Sequence, residues 1–244
     1  PDVITYSAAI SACEKGGQWA KALLLLNRME GRGVTPNVIT YSAAISACEK
    51  GGQWEYALEL FNSMKDRGVM PTVISYNATI SACEKGGQWK NAIELLNSME
   101  SYGVHPDVIS YSAAISACEK GGQWEKALEL FNSMKGRGVT PNVISYSAVV
   151  EALESASRFE EAAELIKKAR GHGFYMKAFT SSSKVDLHDC SGAVARTIMR
   201  IVLSEVTTRK VDLHGCSEAV ARTIMRIILS EVQSGFRKPG KLER

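Results

Sequence analysis

Ile4, Ser7 and Glu14 stand at i, i+3 and i+10 of one short segment, a spacing that sets them on roughly one face of a helix. The isoleucine and a small hydrogen-bonding residue return every 35 residues: Ile39 with Ser42, Ile74 with Asn77, Ile109 with Ser112, and Ile144 with Ser147. This is the chemistry of recognition, not of bond breaking. A branched aliphatic side chain can lie against the plane of a base, and a hydroxyl or amide beside it can hydrogen-bond the base edge. Other reactive side chains do not compete. Cys13, Cys48, Cys83 and Cys118 keep the same 35-residue step on an apolar helical stripe, Cys190 and Cys216 recur in the tail, and no Cys-x-x-Cys pair occurs. Free thiols are therefore expected, with no metal site and no disulfide framework. No Walker loop, His-Glu-x-x-His or nucleophile elbow is present, and neither a cofactor nor a small-molecule substrate is expected.

The serines also have a plainer reading as solvated helix residues. The isoleucines fit that reading less well, because an apolar ladder exposed at one place in every unit marks an interaction surface. Isoleucines found in the core would remove the wedge.

The elements that position these residues follow from the repeat. Tyr6, Tyr41, Tyr76, Tyr111 and Tyr146 are 35 apart, as are Trp19, Trp54, Trp89 and Trp124, with Phe159 in the fifth slot. Five units result, at residues 3–37, 38–72, 73–107, 108–142 and a degenerate 143–177. Within the first, Tyr6, Ile10 and Cys13 form a stripe on another face from Ile4, which predicts a helix packed on that side. Asn37, Asp107 and Asn142 are good N-caps for the helices that follow them. Gly16-Gly17 breaks the chain, a second helix starts near Trp19, and Gly33 with Pro36 ends it. A lone helical pair cannot bury its apolar stripe, whereas a stack can. The expected fold is mainly α: a right-handed α-solenoid of helix-turn-helix repeats with one concave face, followed by a small C-terminal α/β tail. In the fifth unit Arg158-Phe159 replaces Gln-Trp and three glutamates, Glu160, Glu161 and Glu164, are added, as in a terminal cap.

The tail carries its own repeat. After a short linker at 178–183, residues 184–206 and 210–232 align at a step of 26, and 234–244 form a basic end. Val185-Asp186-Leu187-His188 and Val211-Asp212-Leu213-His214 read as short strands, each followed by a helix. Val194, Ala195, Ile198 and Val202 mark the apolar face of the first of those helices, and Arg196 and Arg200 share another. Two β-α units are expected over 184–233.

Composition limits the rest. The chain has 244 residues, 45% apolar and 23% charged, which is ordinary for a folded protein, and no run spans a membrane. The formal charge is +3, with 18 basic against 19 acidic residues over 1–177, so no basic field advertises a polyanion. Lys15, Lys50, Lys85 and Lys120 recur at the ends of first helices. They are equally well placed to contact phosphate or to complement the helix dipole. The opening residues have neither a signal-peptide nor a transit-peptide layout. Asp2 stands where an earlier unit would end, so an earlier unit is expected.

Val3-Ile4-Thr5-Tyr6-Ser7, Ala57-Leu58-Glu59-Leu60-Phe61-Asn62-Ser63-Met64-Lys65 and Arg32-Gly33-Val34-Thr35-Pro36-Asn37 together resemble the pentatricopeptide repeat family, over residues 1–177. Tetratricopeptide repeats, at 34 residues with a different Trp, Leu-Gly and Tyr pattern, do not fit. The resemblance implies sequence-specific binding of single-stranded RNA, one base per repeat. It implies transcripts in a plastid or mitochondrion, with RNA-processing proteins as further partners. It also implies that each unit's fifth and last residues read the base. The pairs are Ser7/Asn37, Ser42/Thr72, Asn77/Asp107, Ser112/Asn142 and Ser147/Lys177, with Ile4, Ile39, Ile74, Ile109 and Ile144 as wedges. Ser with Asn implies adenine and Asn with Asp uracil, giving A-x-U-A-x from 5′ to 3′ along the N-to-C direction. The His188 and His214 segments resemble the opening of a small MutS-related domain, some of whose members nick nucleic acid. The later Gly-x-Gly element is not found, so the expectation is a binder without enzymatic activity. A protein-binding scaffold is the first alternative and an endonuclease the second.

Overall fold

The computed structural model describes residues 1–174 and 190–208. The 178–183 linker, the strands expected near His188 and His214, the second tail unit and the basic end lie outside the described residues. Among the described residues there are α-helices and one 3-10 turn, and no strand. The chain divides into two compact units, the first being Pro1–Leu165.

The first unit is a helical repeat solenoid. Its helices are α1 Val3–Lys15, α2 Trp19–Gly31, α3 Val38–Lys50, α4 Trp54–Asp66, α5 Val73–Lys85, α6 Trp89–Ser98, α7 Val108–Lys120, α8 Trp124–Gly136 and α9 Val143–Ser155; α10, Phe159–Gly171, begins within it. A 3-10 turn at Glu100–Tyr102 follows α6. The odd-numbered helices each touch the odd helix before and after, forming one continuous layer. Each even helix from α2 to α8 packs against its own odd helix and the next one.

Local chemistry sets these boundaries. The last residue of each of the first four units is the N-cap of the next odd helix: Asn37 Oδ1 accepts from the Ile39 and Thr40 N–H groups, and Asp107 Oδ1 from Ile109 and Ser110. Thr40, Ser75, Ser110 and Ser145, at the third helical position, accept from the capping residue's own N–H, completing a capping box. The turn between paired helices needs a left-handed residue, supplied by Gly17, Gly52, Gly87 and Gly122 at φ of 66° to 69°. Ser157 holds that conformation at φ 60° in the fifth unit, where a glycine is missing.

Stacking completes the core. Helix α1 buries only Tyr6, Ser7 and Ile10, whereas α7, with a unit before and after it, buries eight side chains. The difference is what neighbouring units cover, as expected for a quasi-one-dimensional fold. Tyr76 and Tyr146 meet Phe61 and Phe131 of the preceding unit edge-on, with ring centroids 4.7 and 4.9 Å apart.

In the second unit, α11 spans Gly192–Thr208, beside the position expected for the first tail helix. Val194, Ala195, Ile198 and Ile201 are buried on it, while Arg196 and Arg200 are exposed.

Candidate nucleic-acid interface

The five isoleucines form an exposed ladder along the layer of odd helices. Ile4, Ile39, Ile74, Ile109 and Ile144 are 56 to 74% exposed, beside tyrosines that are almost fully buried. Each sits in the first turn of its helix, next to the capping residue that ends the preceding unit. The apolar stripe of each helix faces inward, and the isoleucine is turned out of it.

Between successive rungs lies an open depression of about 340 Å³. Ile39 and Ile74 flank it, and Ser42 and Thr72, the expected reading pair of the second unit, are in its lining. Ser11 and Glu14 reach it from α1, and Ser46 from one turn beyond Ser42. A slot bounded by two aliphatic side chains with hydroxyls between them has the shape and polarity for a flat heteroaromatic ring.

The fifth and last residues of a unit are brought together, in some cases through the third helical residue of the next unit. Ser7 is buried and its hydroxyl lies 2.7 Å from Thr40 Oγ1, which donates to Asn37 Oδ1 at 3.0 Å. Asn77 Nδ2 donates directly to Asp107 Oδ1 at 3.2 Å, and Ser110 Oγ donates to Asn77 Oδ1 at 2.6 Å. Ser112 Oγ donates to Asn142 Oδ1 at 3.3 Å. No hydrogen bond joins Ser42 to Thr72 among the described residues. Ser147 is half-buried, and Lys177 lies outside the described residues. The plainer reading of solvated serines therefore fails at Ser7 and Ser112, which are 6 and 5% exposed. Thr40 and Ser110 were missed as parts of the site, although the capping-box pattern is visible in the sequence.

Capping also orients the last residue. Asn37 and Asn142 commit Oδ1 to the next helix, so each amide nitrogen keeps its protons for a ligand. Asp107 commits Oδ1 in the same way and keeps Oδ2 as an acceptor.

The recurring lysines do something neither expectation named. Lys50, Lys85 and Lys120 form ion pairs with Glu14, Glu49 and Glu84 of the preceding unit, at 2.7, 2.5 and 2.8 Å. These pairs tie unit to unit and neutralise the glutamate that reaches the depression. A second ladder joins even-helix ends. Arg67 pairs with Glu30 at 2.9 Å, Lys65 sits 4.6 Å from the Tyr102 ring centre, and Arg137 pairs with Glu100. The separation between unlike charges, 36 residues in the first ladder and 37 in the second against a repeat of 35, was the available signal.

Cys48, Cys83 and Cys118 are buried, and loss of solvation pushes their thiols up to about 11, while Cys13 is only half-buried. Neutral thiols of this kind are inert. No group of metal-binding side chains occurs among the described residues.

Comparison with known proteins agrees with this geometry. The model of the PPR repeat family matches residues 1–50, 43–85, 71–120 and 106–155, and a PPR repeat model matches 144–174. The matches end before the His188 and His214 motifs. No curated protein matches. Among solved structures, the pentatricopeptide repeat protein PPR10 from maize is 25% identical at a TM-score of 0.63, covering 98% of this chain and 35% of its own. PPR10 in complex with an 18-nt psaJ RNA element is 22% identical at a TM-score of 0.66, covering 100% of this chain and 34% of its own. The PPR domain of Arabidopsis thaliana protein-only RNase P 1 in complex with tRNA is 16% identical at a TM-score of 0.67, over 81% of this chain and 97% of that domain. The chain thus spans about a third of the length of PPR10.

Proposed function

The chain belongs to the pentatricopeptide repeat family, and we propose that its odd-helix layer binds single-stranded RNA, one base to each slot between successive isoleucines. The observation that carries this reading is the depression between Ile39 and Ile74, with Ser42 and Thr72 in its lining. Stacking on the isoleucines supplies affinity without sequence preference, and the polar pair selects among bases.

The pairs read in terms of donors and acceptors. Asn37 and Asn142 offer amide protons, which suit a base with an unprotonated ring nitrogen on its pairing edge, as adenine has. Asp107 offers an acceptor, which suits a base with a ring N–H, as uracil has. The Ser7/Asn37, Asn77/Asp107 and Ser112/Asn142 pairs then give the A-x-U-A core, in the direction that the family resemblance implies, with Ser42/Thr72 weakly selective. Ile4, Ile39, Ile74, Ile109 and Ile144 are the wedges, and Ser147 occupies the fifth reading position. The array works on transcripts of a plastid or mitochondrion, holding or marking a short element for RNA-processing proteins.

Binding to single-stranded RNA oligomers that differ only at the third core position tests this. Uracil is expected to bind best. Equal affinity for all four bases would remove the code, and retention of a protein with no RNA affinity would favour a scaffold.

A further inference from the structure

The four capping boxes share one backbone pattern, but their hydroxyls point to different partners. Thr40, Ser75, Ser110 and Ser145 are all fully buried, and each accepts from the N–H of the preceding cap. A hydroxyl has one proton to place. Ser75 and Ser145 return theirs to the carbonyl of the capping residue, Thr72 and Asn142, both at 2.9 Å. Thr40 and Ser110 turn theirs toward the side chains of the reading pair. Thr40 Oγ1 donates to Asn37 Oδ1 at 3.0 Å and lies 2.7 Å from the Ser7 hydroxyl. Ser110 Oγ donates to Asn77 Oδ1 at 2.6 Å, with Asp107 Oδ1 at 3.0 Å.

In unit three this fixes the amide of Asn77. Its Oδ1 is held by Ser110, and one Nδ2 proton is held by Asp107 Oδ1. The reverse orientation would set the amide oxygen against the Asp107 carboxylate, acceptor against acceptor. Asp107 Oδ1 also takes the N–H groups of Ile109 and Ser110. What is left for a ligand is the second Nδ2 proton and Asp107 Oδ2, a donor and an acceptor. Uracil offers a carbonyl beside a ring N–H, whereas cytosine, of the same size, has an unprotonated ring nitrogen there. In unit one the hydroxyls run in a chain. With the Thr40 proton on Asn37, the Ser7 proton falls on Thr40 Oγ1, and Ser7 keeps lone pairs for a ligand as an acceptor beside the Asn37 amide protons. Unit four has the same types of reading residue but no such relay: Ser112 donates straight to Asn142 at 3.3 Å, and the Ser145 proton is elsewhere.

We propose that Thr40 and Ser110 are positioning residues that sharpen base selection at the first and third positions, while Ser75 and Ser145 serve only their helices. This rests on the RNA-binding reading above and deepens it: at two positions the base is chosen by a side chain of the following unit that does not touch it. Both hydroxyls are buried and act through the reading pair, by holding one orientation of its donors and acceptors.

The test measures the affinity of the whole chain for A-A-U-A strands with single base changes, comparing purine with purine and pyrimidine with pyrimidine. S110A is expected to lower the preference for uracil over cytosine at the third position about fivefold or more, the scale of one lost hydrogen-bond match. S110T keeps the hydroxyl and is expected to restore it. T40V keeps the shape and removes the hydroxyl, and is expected to lower the preference for adenine over guanine at the first position in the same way. S145A removes the same capping-box bond beside a Ser/Asn pair like that of unit one. It is expected to lower the urea midpoint as S110A does, and to change the fourth-position preference less than about twofold. Unchanged preferences in S110A and T40V overturn the proposal. So does a loss of preference in S145A as large as in T40V, since a loosened cap would then be the cause. A native chain that binds none of the strands defeats the RNA-binding reading itself, and the proposal falls with it.

Discussion

The indole of Trp54 lies so close over the Cα of Gly86 that a Cβ on that glycine would overlap the ring. The same contact joins Trp19 to Gly51 and Trp89 to Gly121, so the absence of a side chain at one point of each unit fixes how closely the next can stack. Gly86→Ala is expected to destabilise the array by about 1–3 kcal/mol, the usual cost of overpacking. A urea midpoint that does not move would show that the ring can step aside.

Ile74 is 63% exposed and contributes little to the core. Ile74→Ala is expected to leave stability within about 0.5 kcal/mol, as for other surface changes. It bounds two slots, and its loss should weaken RNA binding about fivefold or more. Paired measurements of Kd and thermal midpoint separate the two effects.

The inter-unit ion pairs predict an unusual salt response. Lys50 and Lys85 are already matched to Glu14 and Glu49, so charge reversal at both should leave the slope of log affinity against log salt nearly unchanged. Two lost phosphate contacts would instead reduce it by about 1.4, at roughly 0.7 per contact on a single strand. Stability should fall by no more than ~1 kcal/mol per exposed pair removed, plus whatever repulsion the reversed charge adds.

Much of this was legible from sequence, and the rest was hidden for a definite reason. The 35-residue step of Tyr6, Trp19 and Pro36 gave the units, because a buried ring and a chain break each have a fixed place in a helical pair. Asn37 and Asp107 were readable as caps, and the isoleucines as outward-facing. The partners of Lys50, Lys85 and Lys120 were not, because a repeat period says nothing about the rise and rotation between units. Those two quantities decide that Glu14 reaches Lys50 and that Trp54 lands on Gly86. The same ignorance left the solvated reading of Ser7 and Ser112 open beside the base-reading one, when the next unit in fact covers them.

Glu119 gives a pH dependence with a defined sign. Burial, then the charge of Glu151 and more weakly Glu84, raise its carboxyl above the ordinary glutamate range, against the opposing effect of Lys120. A carboxyl that holds its proton more tightly when folded adds stability as pH falls through its raised value and removes it as pH rises. Glu119→Gln should therefore be more stable than the native chain at neutral pH, and the gap should close in mild acid. Urea unfolding across that range measures both parts.

The most direct measurement exchanges the reading pair of the third unit. The double variant N77S/D107N gives that unit the pair found in the first, Ser7 with Asn37, and keeps an N-cap at residue 107. Affinities are then compared for strands carrying uracil or adenine at the third core position. The native chain should prefer uracil and the variant adenine, with total affinity for the matched strand preserved within a few-fold. A variant that keeps the uracil preference, or a native chain with none, would contradict the account of how these side chains meet RNA.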